Sequence, residues 1–135
     1  MSRLVVDTSA VMAILGDEPG ADELVTHLLS ADDRLISAGT LLELGIVLEA
    51  RLGPAGRSVM DRFLGDAHIE VVPVDRAQVD RALDGWRRFG EGRHEAALNL
   101  GDCFAYGLAD VIAGAVLCVG GDFAATDVEV LRPGR

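Results

Sequence analysis

A short apolar run that ends in a carboxylate constrains the fold of this chain more than any other feature. The run from Leu4 to Val6 is too short for a helix and too apolar for a strand with one solvent face. Asp7 follows it, and the hydroxyl residues Thr8 and Ser9 then lead into an amphipathic helical pattern. Such a strand is typical of the centre of a parallel sheet. We therefore predict that Asp7 lies at the carboxyl end of a central strand.

Similar apolar segments alternate with helical patterns along the rest of the chain. Further strands are predicted at residues 34–37, 69–74, 115–119 and 128–131. Helices are predicted at residues 9–15, 21–30, 38–52, 56–64, 75–89 and 99–113. The fold class is therefore predicted to be α/β, with three layers: a central parallel sheet of four to five strands and helices on both faces. We expect one domain over residues 1–135.

Two of these helices have distinctive patterns. The helix from Ala38 to Leu52 is apolar nearly all round, which predicts burial in the core or at a subunit interface. It contains Glu43, an acid that is costly on an apolar strip unless something pairs with it. In the helix over residues 75–89, we expect Val79, Leu83 and Trp86 to point inward.

Composition excludes several classes of function. The net charge of −10 argues against indiscriminate binding to nucleic acid, although a local basic patch can still bind a specific one. Arg87, Arg88 and Arg93 form the densest such patch, whose alternative is a solvated face. No signal-peptide layout or membrane-spanning run is found, and Cys103 and Cys118 lack metal-type spacing. We expect a cytoplasmic protein with no membrane association.

Four acids are predicted to meet at one edge of the sheet. Asp7 and Asp122 directly follow buried strands, Asp102 opens a helix, and Glu43 lies one turn into another. A set of oxygen ligands without His or Cys indicates Mg²⁺ or Mn²⁺ and not zinc. Such an ion promotes attack on a phosphodiester. The alternative is that each acid is only a helix cap or a solvated group.

The motifs around these acids resemble those of PIN-domain ribonucleases and, more narrowly, of VapC-type toxins from bacterial toxin–antitoxin pairs. The resemblance covers nearly the whole chain. It rests on four segments in order: Asp7 to Ala10, Glu43 in its apolar helix, Asn99 to Tyr106, and Gly120 to Asp127.

The resemblance implies a role for each matching residue. Catalytic and metal-holding roles pass to the four acids, with Asp7 and Asp102 holding the ion most directly and Glu43 often acting through water. Asp127 is implied to be an outer helper, and Thr8 and Thr126 to orient carboxylates or water.

Function and partners are implied as well. The family resembled is one of small dimers that cut single-stranded loops of tRNA or ribosomal RNA and are inhibited by a cognate, VapB-like antitoxin. We expect a homodimer and a toxin–antitoxin hetero-oligomer. The Ala38–Leu52 helix and the surfaces of Val11, Leu15, Leu24 and Leu28 are the predicted apolar seams.

Two other functions remain open at this point. The first is a catalytically weak PIN-like binding module that acts mainly through protein partners. The second is a phosphoryl-transfer domain, which also places Asp residues and Mg²⁺ at a sheet edge. Two observations argue against the second function. Phosphatases of this kind need another Asp two positions after the first, which Asp7 lacks, and receiver domains need a Lys to contact the phosphate, whereas this chain contains no Lys.

Overall fold

The computed structural model describes residues 2–134, which form a five-stranded sheet and six α-helices. The strands are β1 (Arg3–Val6), β2 (Asp33–Ser37), β3 (Glu70–Val72), β4 (Ala115–Leu117) and β5 (Glu129–Leu131). The helices are α1 (Thr8–Leu15), α2 (Ala21–Ser30), α3 (Ala38–Leu52), α4 (Ala55–Ala67), α5 (Arg76–Phe89) and α6 (Leu100–Ile112). A short 3₁₀ turn, Phe123–Ala125, lies between β4 and β5.

The sheet has the order β3-β2-β1-β4-β5, and every neighbouring pair of strands is parallel. β1 lies in the middle, as its sequence predicts. Leu4, Val5 and Val6 are each at most 1% exposed, because helices cover both faces of the strand. The prediction of a central parallel sheet is confirmed.

Alternate residues of β1 point into two separate cores. Leu4 and Val6 pack with residues of α1 to α4, whereas Val5 packs with residues of α6. The fold is therefore an α/β structure with three layers, with α1 to α4 on one face of the sheet and α5 and α6 on the other. Within residues 2–134, no helix combines the length and the apolar character that a membrane crossing needs.

The apolar surface predicted on the first two helices differs from the structure. Val11, Leu24 and Leu28 belong to the core and offer no free seam, although Leu15 is 38% exposed. The prediction for those three residues was wrong because the α1–α2 hairpin folds onto the sheet and buries its own apolar stripe.

α3 is only partly buried within the described chain. Leu44 and Leu48 face the core, while Leu42 is 66% and Ile46 is 61% exposed. The strip that carries Leu42 and Ile46 therefore remains available to a partner, as the all-round apolar pattern predicts.

The inward face of α5 was wrongly predicted. Val79, Leu83 and Trp86 are between 36% and 44% exposed, whereas Gln78 and Gly85 are the buried positions. At Gly85 an added Cβ would overlap the Tyr106 ring of α6, so the missing side chain lets this ring pack against the α5 backbone. The partly exposed apolar stripe of α5 lines a groove whose other wall includes Leu100 and Phe104 of α6.

Candidate active site

Asp7 directly follows β1 and caps the first turn of α1. Its backbone N–H donates to the Leu117 carbonyl at 3.0 Å, so it still lies in register with the sheet. Its carboxylate accepts hydrogen bonds from the Ser9 N–H at 3.0 Å and the Ser9 hydroxyl at 2.6 Å. Burial nevertheless raises the pKa of Asp7, which is only 6% exposed. Asp7 is therefore both a helix cap and a poorly solvated carboxylate at the sheet edge.

Glu43 reaches the same edge from α3. The Thr8 hydroxyl donates to Glu43 Oε1 at 2.7 Å, which supplies the pairing that an acid on an apolar strip requires. On another side the Glu43 carboxylate lies against Gly101, where an added Cβ would overlap it. Glycine at position 101 thus allows the start of α6 to approach Glu43.

Asp102 lies in the first turn of α6. Asn99 caps this helix, since Asn99 Oδ1 accepts from the Asp102 N–H at 2.9 Å and the Asn99 N–H donates to Asp102 Oδ2 at 3.1 Å. Burial raises the pKa of Asp102 to about 6, and the negative charges of Asp7, Asp122 and Glu43 add to that shift. The pKa stays high even though the hydrogen bond from Asn99 opposes the shift.

Asp122 is the most exposed member of this group. It follows β4 in the Gly120-Gly121 turn and precedes the 3₁₀ turn, and its side chain makes no capping hydrogen bond. Its charge still contributes to the raised pKa of Asp102. Asp7, Glu43, Asp102 and Asp122, called the acid cluster below, therefore sense one another although they come from four separate segments.

The donor chemistry of the acid cluster fits a hard divalent cation. Its ligands are carboxylate oxygens, and the mutual repulsion of the charges would be relieved by a cation between them. Within residues 2–134, however, no three acidic, His or Cys side chains already converge closely enough to hold an ion. The carboxylates of Asp7 and Asp102 instead accept hydrogen bonds from Ser9 and Asn99.

Comparison with known families agrees with this fold and this arrangement of acids. The PIN domain family matches residues 4–129. This chain belongs to the PIN-domain family. Nucleases of that family generally depend on a divalent metal ion.

Individual relatives of this PIN domain are VapC ribonucleases. Ribonuclease VapC from Mycolicibacterium smegmatis is 44% identical over 129 residues, which cover 96% of this chain and 100% of that protein. Solved structures share the fold at lower identity. VapC20 of Mycobacterium tuberculosis, described as a sarcin–ricin loop cleaving toxin, has a TM-score of 0.72 at 20% identity and covers 96% of this chain and 99% of its own. VapBC-5 of Mycobacterium tuberculosis, from the VapBC family of toxin–antitoxin systems, has a TM-score of 0.67 at 23% identity over 98% and 99%.

The PIN domain also contains a hydrogen-bonded group, separate from the acid cluster, that sequence reasoning did not find. Tyr106 donates its hydroxyl proton to Asp127 Oδ1 at 2.7 Å, and Arg88 donates to the Tyr106 hydroxyl at 2.9 Å and to Asp127 Oδ2 at 3.0 Å. Although burial opposes ionisation, these bonds lower the pKa of Asp127. We call Arg88, Tyr106 and Asp127 the tyrosine network. Its signal in the sequence is a Tyr one turn after Asp102, because a buried Tyr hydroxyl needs a partner.

The remaining predicted residues have other contacts. The Thr126 hydroxyl donates to the Phe123 carbonyl at 2.6 Å and so stabilises its own turn, and its role in orienting a carboxylate or water stays a prediction. The guanidinium of Arg93 lies 4.4 Å from the centre of the Trp86 ring, and Arg88 belongs to the tyrosine network. Arg87 is exposed. The role of Arg87, Arg88 and Arg93 in RNA binding stays a prediction.

Proposed function

We propose that this chain is the toxin of a toxin–antitoxin pair and an endoribonuclease that depends on Mg²⁺ or Mn²⁺. The observation that carries the proposal is the placement of four carboxylates from separate segments at one edge of the sheet, close enough for the other three to raise the pKa of Asp102. Repulsion between these carboxylates destabilises the metal-free fold, whereas a bound divalent cation would offset it. The VapC relative supports RNA as the substrate, and VapC20, described as cleaving the sarcin–ricin loop, supports a loop of structured RNA. We propose that the loop belongs to tRNA or ribosomal RNA.

In this proposal each member of the acid cluster has a role. Asp7 and Asp102 would hold the cation most directly, and Asp122 would add a fourth carboxylate from the turn after β4. A bound divalent cation neutralises charge on the phosphodiester and lowers the pKa of a water molecule. The Thr8 hydroxyl fixes one oxygen of Glu43, which leaves the other oxygen to accept a hydrogen bond from water. We propose that residues 1–135 form one nuclease domain and that it acts on RNA in the cytoplasm.

RNA-end sequencing tests the proposal against the binding-module alternative. Purified protein is incubated with total RNA in Mg²⁺, in Mn²⁺ and in EDTA, beside an Asp7→Asn control that keeps the shape of the side chain. We expect new ends at a few positions that require metal and disappear with Asp7→Asn. Ends that persist in EDTA or in Asp7→Asn would contradict the proposed site. A folded wild type that yields no ends under any condition would favour the binding module.

Partner binding completes the proposal, supported by the toxin–antitoxin description of VapBC-5. An apolar groove of about 470 Å³ between α2 and α4, lined by Val25, Leu29, Val59 and Phe63, is suited to an antitoxin segment. The exposed strip of α3 that contains Ile46 is suited to a homodimer seam.

Two reciprocal variants separate these surfaces. Ile46→Glu should yield a monomer in sedimentation experiments and still bind the antitoxin. Leu29→Glu should lose antitoxin binding and remain a dimer. If both variants remain dimeric and antitoxin-bound, neither surface has its proposed role.

A further inference from the structure

The carboxyl ends of three neighbouring strands lie level with one another. Val6 of β1 pairs with Leu117 of β4, and Leu117 pairs with Leu131 of β5. The residues that follow these three ends are therefore Asp7, Cys118 and Arg132. Neighbouring strands are about 4.8 Å apart, so Asp7 and Arg132 are separated by roughly two strand spacings.

The alternation of side chains places Arg132 on the same face of the sheet as α6. Val6, Leu117 and Leu131 all pack toward the α1–α4 layer. The next residue of each strand faces the other way, and Cys118 indeed packs in the core under α5 and α6. The side chain of Arg132 therefore leaves the backbone on the face of the sheet that α6 covers, and α6 carries Asp102.

The guanidinium of Arg132 is held beside the turn that carries Asp122. Arg132 Nη1 donates to the Gly120 carbonyl at 2.8 Å, two residues before Asp122. The Cys118 N–H donates to the Leu131 carbonyl at 3.1 Å, which continues the sheet up to this point. One hydrogen bond uses only one of the five guanidinium donors, so the others remain available to a ligand.

The electrostatics around Cys118 agree with this placement. Burial raises the pKa of the Cys118 thiol to about 12, and the charge of Asp7 adds to the shift. The positive charge of Arg132 opposes it, while Asp102 and Asp122 reinforce it. One buried thiol therefore senses Arg132 and three members of the acid cluster together.

Arg132 differs in its ion pairing from five other arginines of the protein. Arg3, Arg57, Arg76, Arg81 and Arg88 each lie within 4.0 Å of an aspartate. Arg132 is exposed, and its charge has no such partner within the described range 2–134. It also lies beyond residues 4–129, the part of the chain that the family match covers.

We propose that Arg132 binds a phosphate of the RNA substrate at the acid cluster. The proposal rests on the RNA-cleaving function proposed above and adds a substrate-contacting residue to that site. A chain with net charge −10 needs a local cation where a polyanion approaches it. A guanidinium tethered through one N–H is already oriented, and its remaining donors match the oxygens of a phosphate.

The test measures RNA binding as a function of salt. The probe is a fluorescein-labelled oligouridylate in EDTA, and the variants are Arg132→Gln and Arg132→Lys. Arg57→Gln is the matched control, because Arg57 is an exposed arginine of α4 paired with Asp61 at 3.2 Å. We expect the slope of log K against log salt to fall by about 0.7 in magnitude with Arg132→Gln. Arg132→Lys should keep the slope and bind more weakly, and Arg57→Gln should match wild type.

Two further readouts separate RNA contact from a structural role. In cleavage of total RNA, Arg132→Gln should raise KM far more than it lowers kcat. Its melting temperature should respond to Mn²⁺ as strongly as that of wild type. An unchanged salt slope would overturn the proposal. A lost Mn²⁺ response would overturn it too, because it would show that Arg132 only stabilises the turn that carries Asp122. If wild type cleaves RNA in an Asp7-dependent way, such a result leaves the proposed function standing; if it does not, both fail.

Discussion

The acid cluster and the tyrosine network share two segments of the molecule, yet their carboxylates have opposite pKa shifts. Asp102 lies one turn before Tyr106 on α6, and Asp122 lies five residues before Asp127. The pKa of Asp102 is raised to about 6 by burial and neighbouring acids, whereas bonds from Tyr106 and Arg88 lower that of Asp127. The charge of Asp127 is thus already balanced by Arg88 and Tyr106, whereas the charges of the acid cluster repel one another until a proton or an added cation relieves them.

The largest expected difference between the two regions is in catalysis. Asp102→Asn keeps an acceptor for the Asn99 N–H but removes a charge from the cation site, so RNA cleavage should fall by orders of magnitude, roughly 100-fold or more. Asp127→Asn removes an equal charge outside the acid cluster and should reduce cleavage less than about tenfold. Rates on the same RNA at saturating Mn²⁺ measure both effects. Equal losses would show that the two carboxylates serve one function.

A smaller effect is expected on stability when the tyrosine network is cut. Tyr106→Phe keeps the buried ring and removes the hydroxyl that joins Arg88 to Asp127, which should cost about 1–2 kcal/mol of unfolding free energy. Asp110→Asn is the control, because the exposed Arg81–Asp110 pair also joins α5 to α6 and should contribute at most about 1 kcal/mol. Urea unfolding measures both. A Tyr106→Phe protein as stable as wild type would remove the structural role of the network.

The smallest expected effect is a pH dependence in the metal-free protein. With a pKa of about 6 in the fold and 3.8 as the reference value, Asp102 binds a proton more readily when folded. The unfolding free energy in EDTA should therefore rise as the pH falls from 7 to 5. Asp127 has a lowered pKa, so its contribution is constant over this range and is lost only at lower pH.

Subtracting the unfolding free energies of Asp102→Asn from those of wild type at each pH isolates this contribution from those of all other groups. Identical pH dependence in the two proteins would show that Asp102 is an ordinary solvated acid.

The sequence predicts the framework of the site well, because strand ends in a parallel sheet meet at one edge. The apolar run before Asp7 and the one before Asp122 are local signals, and both appear as strands of the sheet. The capping position of Asp102 is equally local, since Asn99 and Asp102 form their own capping box.

What the sequence does not predict depends on how elements approach one another. The buried side of α5 contains Gly85, whose missing side chain lets Tyr106 of α6 pack against it. Arg132 gains its position from the register of β1, β4 and β5, which no local pattern encodes. Tyr106 and Asp127 are 21 residues apart, so their bond depends on the path of the chain between them.

The central claim is that the carboxylates of the acid cluster repel one another until a cation binds between them. Thermal melts of wild type and Asp102→Asn, each in EDTA and in Mn²⁺, test it most directly. In EDTA the variant should melt at a higher temperature than wild type. The reason is that removing one charge relieves repulsion and desolvation worth roughly 1 kcal/mol of unfolding free energy, after solvent screening is allowed for. Mn²⁺ should raise the melting temperature of wild type clearly and that of Asp102→Asn much less, because only a bound ion stabilises by mass action. A variant that melts lower in EDTA and responds to Mn²⁺ as wild type does would contradict the account and leave Asp102 as a helix cap.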